Sequence, residues 1–184
     1  MAEIKSTLDL VMEKTRHLVQ SEEEKKEAQE KEWSDRARRL LLKLEEGRIK
    51  PESLPQTLQD LGDRDTPAFR QALLKLMVQG LLIGKENDSI LAGMKHLTAA
   101  SLGHIIQRIE DLLQEYDRSI IELTLAYRKK ILEELKHQGI SGSAVLPKVD
   151  QDPAWAEART GMKTQFEARL NQAKAALTER LPSG

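Results

Sequence analysis

This sequence predicts an all-α fold, an elongated helical bundle with long coiled-coil-like helices and a small helical subregion, and three observations carry that prediction. The 184 residues are 32% charged and only 3% aromatic, rich in Leu, Ala, Glu, Lys and Arg, which is the composition of long helices rather than of a β-sandwich. Apolar residues recur at steps of three and four through most of the chain, the period of one helix face. Helix-starting pairs, Thr66-Pro67 and Asp152-Pro153, and helix-ending glycines, Gly47 and Gly139, stand at the ends of those periodic stretches.

Residues 1–50 read as a long N-terminal helix. Ile4, Leu8, Val11, Thr15 and Leu18 mark one face, widened by Met12 and Val19. From Gln20 to Asp35 the stripe gives way to acids and bases, and the pairs Glu22/Lys26, Glu27/Lys31, Glu32/Arg36 and Asp35/Arg39 place an acid four residues before a base. That order supports a solvated helix by ~0.2–0.5 kcal/mol per pair. Apolar positions return at Trp33, Ala37, Leu40, Leu41 and Leu44 before the Gly47 stop.

Residues 51–88 form a compact short-helix region. Leu54, Leu58 and Leu61 share a face after Pro51 and Pro55 and end at Gly62, and Thr66-Pro67 opens a second helix through Phe69, Leu73, Leu76 and Met77 to about Leu82. Gly84 to Asp88 is a turn. An alternative pairs Leu81-Leu82-Ile83 with Ser89-Ile90-Leu91 as a β-hairpin, which would give a winged-helix outline.

Residues 89–138 read as the long central helix, capped by Asp88 or Ser89 and stopped by Gly139. Its seam of Ile106, Ile109, Leu113, Tyr116, Ile120, Leu123 and Tyr127 alternates three and four residues and is the candidate interaction seam. Ile105, Leu112, Ile121, Leu125 and Leu132 add a second stripe, so this helix needs cover on more than one side. Ala92, Gly93, Ala99, Ala100 and Gly103 near its start allow close approach or a kink. Residues 139–152 are a linker with Ser/Gly steps and Pro147, and residues 153–184 a final helix with Trp155, Met162, Phe166, Leu170, Ala173 and Leu177 on one face. The five segments are expected to fold as one cooperative domain.

The chemistry is mostly exclusion. Without cysteine there is no disulfide framework, thiolate metal site or cysteine nucleophile. Gly80-Leu81-Leu82-Ile83-Gly84-Lys85 has three residues between its glycines where a Walker A loop has four, and Glu86 stands where Ser or Thr is needed. The best metal fragment is Glu134-Leu135-Lys136-His137, but a di-iron bundle needs a second such motif. Glu13 and His17, one turn apart, would leave the ligand set incomplete, so Glu134 and His137 stand only as weak metal candidates. His96, His104, Tyr116 and Tyr127 suit packing or boundary positions better than catalysis. No catalytic residue and no cofactor is assigned, and an enzyme is not expected.

The formal net charge of −1 supplies no field for polyanions. Pro51 to Asp88 holds four bases against six acids, a net of −2, so nucleic acid is an unfavoured partner even for a winged-helix outline. The first twenty residues mix charges among the apolar positions, unlike a secretory signal, and Phe69 to Gly84 is too short and too charged to span a bilayer. A cytoplasmic protein is expected. Residues 4–19 mix acids with bases on their polar side, which favours packing on protein over a membrane surface.

The expected function is a non-enzymatic helical scaffold or adaptor mediating protein–protein association, its partner another protein or a second copy. The Ile106–Tyr127 seam must be covered, and a homodimer paired antiparallel about a two-fold axis is favoured. The competing arrangement folds the Trp155–Leu177 helix back along the seam. The alternative function is a nucleic-acid-binding or regulatory module centred on residues 51–91.

Overall fold

In the computed structural model, which describes residues 22–62 and 65–181, several helix ends are set by local hydrogen bonds that the sequence supplies. Helix α1 spans Glu22–Glu45 and ends in a Schellman turn: the Arg48 N–H bonds the Lys43 carbonyl at 2.8 Å, and the Gly47 N–H the Leu44 carbonyl at 3.1 Å. Gly47 takes φ +68°, a left-handed conformation that glycine adopts without steric cost. A 3-10 turn at Pro51–Ser53 leads into α2, Leu54–Gln59. Helix α3, Pro67–Gly80, begins as its sequence requires, with the Thr66 hydroxyl accepting the Phe69 N–H at 3.1 Å and Pro67 in the first turn.

Helix α4 runs Asp88–Leu97, and after a 3-10 turn at Ala100–Leu102 the longest helix, α5, runs Gly103–His137. The expected single helix across residues 88–138 is therefore broken. Thr98 and Ala99 are extended (ψ 153° and 152°), and the Thr98 hydroxyl donates to the Met94 carbonyl at 2.8 Å. Thr98, Ser101 and Gly103 are weak helix formers, and the Thr98 hydroxyl bonds the same Met94 carbonyl that its own backbone N–H already reaches. The break lets Ile90, Leu91 and Met94 of α4 join the same core as Ile105 and Ile106 of α5. At its far end α5 closes as expected, with a second Schellman turn at Gly139.

The hairpin alternative does not form, since no strand occurs among the described residues. Leu81 is extended, but the turn that follows is folded around Asn87, a buried polar side chain. Its amide oxygen accepts the Leu82 N–H at 3.0 Å and its amide nitrogen donates to the Leu82 and Lys85 carbonyls at 2.9 and 2.7 Å. Asn87, rather than Asp88 or Ser89, precedes α4, and it spends its side chain on the turn and not on a helix cap.

Helix α6, Pro153–Glu179, follows a 3-10 turn at Val149–Gln151 and is capped by Asp152, whose carboxylate accepts the Ala154 and Trp155 N–H groups. It runs antiparallel to α5: Ala154 meets Tyr127, Phe166 meets Tyr116, and Arg180 reaches His104. The C-terminal helix therefore folds back through the linker. One hydrophobic core results, with α1 on α3, α4 wedged among α1, α3 and α5, and α6 lying along α5 and touching α3. The Ile4–Val19 stripe, Glu13 and His17 lie outside the described residues.

Candidate interaction surface

Helix α5 changes character halfway along its length. Ile105, Ile106, Ile109, Leu112, Leu113 and Tyr116 are buried, and no residue beyond Tyr116 in this helix is. The cover over the first half comes from this chain. Tyr116 packs edge-on against Phe166 of α6 with ring centroids 5.4 Å apart, and Leu170 and Leu177 of α6 are buried in the same cluster. From Ile106 to Tyr116 the seam is thus covered by α6 of the same chain, the competing arrangement, and not by the favoured second copy. Ile120, Leu123 and Tyr127, the rest of the predicted seam, are half-buried on the side facing α6, and the Tyr127 hydroxyl donates to the Ala154 carbonyl at 3.2 Å.

The second stripe fares differently. Ile121 is 60% exposed, Leu125 57% and Leu132 36%. At 3.6 residues per turn these three share a line about a third of a turn round the helix from Ile120 and Tyr127. The 21 residues from Asp117 to His137 extend about 30 Å; α6 begins alongside Tyr127 and the 3-10 turn at Val149–Gln151 packs on α5 with Val149 and Asp150 beside Thr124 and Arg128, so only the residues after Arg128 have no helix beside them among the described residues. Ile140 and Leu146 of the linker, beyond the same end, are also exposed. The sequence marks this stripe as one needing cover, but the predicted interaction seam lies one stripe away. With two apolar lines on one helix, only the docking direction of α6 decides which is left bare.

The α5–α6 hairpin is pinned at its edge by charge. Arg169 donates two hydrogen bonds to Glu115, at 3.0 and 2.8 Å, and its guanidinium also lies 4.9 Å from the Phe166 ring centre. The hydrogen bonds from Arg169 hold the Glu115 carboxyl below its ordinary range and, reciprocally, raise the guanidinium's pKa. On the opposite side of the hairpin Lys174 donates to the Gln79 carbonyl at 3.2 Å, and its burial lowers its pKa. Lys95 of α4 pairs with Glu110 of α5 at 2.6 Å, tying the short-helix region to the base of the long helix.

No chemistry gathers around the other candidates. Glu134 pairs only loosely with Lys130, at 3.9 Å, and His137 is exposed at the end of α5. Among the described residues no group of three or more histidines and carboxylates is placed to hold a metal. His104 is exposed with the Arg180 guanidinium 3.4 Å from its Nε2, and His96 occupies the last turn of α4. No described helix is long and apolar enough to cross a membrane. No family model, no curated protein and no solved structure matches this chain.

Proposed function

We propose that this chain is a non-enzymatic helical scaffold, cytoplasmic in setting, that recruits another protein chain through the distal half of α5. The observation that carries the reading is the line of Ile121, Leu125 and Leu132, held out on a helix whose first half is anchored in the core. Apolar side chains at helical spacing, displayed on a rigid rod and flanked by charges, suit helix-on-helix recognition. Coupling that rod to the core through Phe166 and the Glu115–Arg169 clasp supports a preorganised surface, which lowers the ordering cost of association.

Affinity capture with the full chain and with an Ile121→Ser/Leu125→Ser variant tests the reading. Both positions are exposed, so the variant keeps its fold and loses a stoichiometric protein partner. Equal recovery by both proteins contradicts the assignment of the surface. Salt-sensitive recovery of DNA or RNA, unchanged by the substitutions, supports instead a nucleic-acid module and overturns the scaffold.

A further inference from the structure

The charges beside the exposed stripe identify what fits it. Extending the stripe by steps of three and four gives Arg118, Ile121, Leu125, Arg128, Leu132 and Leu135, with Glu122, Lys129 and Lys136 along one flank. Laid parallel and in register against itself, this face sets Arg118 on Arg118 and Arg128 on Arg128, two like-charge layers in an apolar seam. It also brings Asp117 against Glu122. Laid antiparallel, the same face separates the two Arg118 side chains by 17 residues, staggers the two Arg128 side chains by three so that no layer stacks one on the other, and removes the Asp117–Glu122 clash. Ile121 then meets Leu132 of the second copy, Leu125 meets the aliphatic stem of Arg128, and Arg118 lies over Leu135. On the flank Glu122 faces Lys129 of the other copy, and the two-fold axis makes that pair twice. Neither Glu122 nor Lys129 has a hydrogen-bond or ion-pair partner among the described residues.

We infer that the occupant of the exposed stripe is a second copy of this chain, docked antiparallel through residues 118–135 of α5 about a two-fold axis lying between Ala126 and Tyr127. The inference rests on the surface proposed above and names its partner. The interface differs from the Ile106–Tyr127 seam, whose first half α6 already covers. Few apolar layers contribute, so the dimer forms in the micromolar range of concentration and dissociates on dilution.

The absence of native cysteine permits a direct test of the geometry. Single cysteines are placed at Ile121, Leu125 and Leu132 of the full chain and treated with a short bis-maleimide spanning about one helix diameter. In the antiparallel pair only Leu125→Cys lies close enough to its own copy to crosslink; position 121 is displaced from its counterpart by 11 residues, about 16 Å along the axis. A parallel pair crosslinks all three, and a monomer none. In parallel, sedimentation equilibrium compares Glu122→Lys, Lys129→Glu and the double exchange. Each single change converts two attractive pairs into two repulsive ones and weakens dimerisation about tenfold, and the double exchange restores it. A chain that stays at 20.8 kDa at high micromolar concentration, a dimer indifferent to all three exchanges, or crosslinking at every position overturns the inference. A monomer that still captures a different protein through Ile121 and Leu125 overturns the self-pairing alone and leaves the scaffold reading in place.

Discussion

Truncating one apolar side chain at Ile109 and another at Leu125 separates the two halves of α5 by their energetics. Both residues sit in the same helix, sixteen positions apart, and both changes to Ala keep good helix formers. Ile109 is fully buried in the single hydrophobic core, so Ile109→Ala loses the transfer free energy of three carbons and leaves a cavity, about 2–5 kcal/mol. Leu125 is 57% exposed and gives up little on truncation, within about 0.5 kcal/mol. For a chain of this size the first loss corresponds to a drop in Tm of about 4–20 °C, the second to 2 °C or so. Urea unfolding followed by circular dichroism at submicromolar protein measures both, the low concentration removing any stabilisation by association. Equal losses, or a larger loss at Leu125, refute the division of α5 into an anchored and an open half.

Three further outcomes follow from particular contacts. A Cβ at Gly93 would stand 2.9 Å from Met77 Cε, 3.0 Å from Leu44 Cδ2 and 3.2 Å from Leu54 Cδ2. All three neighbours are themselves fully buried in the core and have little room to give, so overpacking of about 1–3 kcal/mol outweighs the gain of about 1 kcal/mol in helix propensity, and Gly93→Ala lowers the urea midpoint; a raised midpoint contradicts the packing of α4. Asn87→Ala removes the partner of the Leu82 N–H and of the Leu82 and Lys85 carbonyls and costs about 1–3 kcal/mol. The visible sign is faster proteolysis between residues 82 and 87, and unchanged cleavage argues against the turn. The Glu115 carboxyl is held below its ordinary range, so its pairing with Arg169 contributes above the unfolded pKa and is lost as pH falls through the depressed folded value. Wild type accordingly exceeds Glu115→Gln slightly in Tm at pH 7, and the two coincide at pH 2; a gap that persists at pH 2 breaks the assignment.

Helix ends were legible in the sequence because their causes are local. Thr66, Asp152, Gly47 and Gly139 each satisfy orphan backbone groups within a few residues, and each acts where the sequence places it. The apolar face of α6 was legible for the same reason, Phe166, Leu170 and Leu177 being spaced at helical intervals with alanines between. The break at Thr98 was not, because apolar spacing runs through it from Ile90 and Met94 to Ile105 and Ile109, and only the extended pair Thr98-Ala99 interrupts. The turn before α4 depended on how one amide side chain would distribute its hydrogen bonds among Leu82 and Lys85, and period counting does not register such a choice. The interaction surface was half legible. Both stripes of α5 stand out in the sequence, but which one is covered depends on the direction in which a helix fifty residues downstream folds back.

Amide hydrogen exchange, read by mass spectrometry across a range of protein concentrations, decides whether the end of α5 beyond α6 presents a bare docking face. The amides from Ile105 to Tyr116 should exchange slowly at every concentration, and those from Lys129 to Lys136, beyond the start of α6, faster when dilute than once the protein is concentrated. Exchange from Lys129 to Lys136 that is as slow at high dilution as in concentrated protein would contradict the account, since association would then add no protection there.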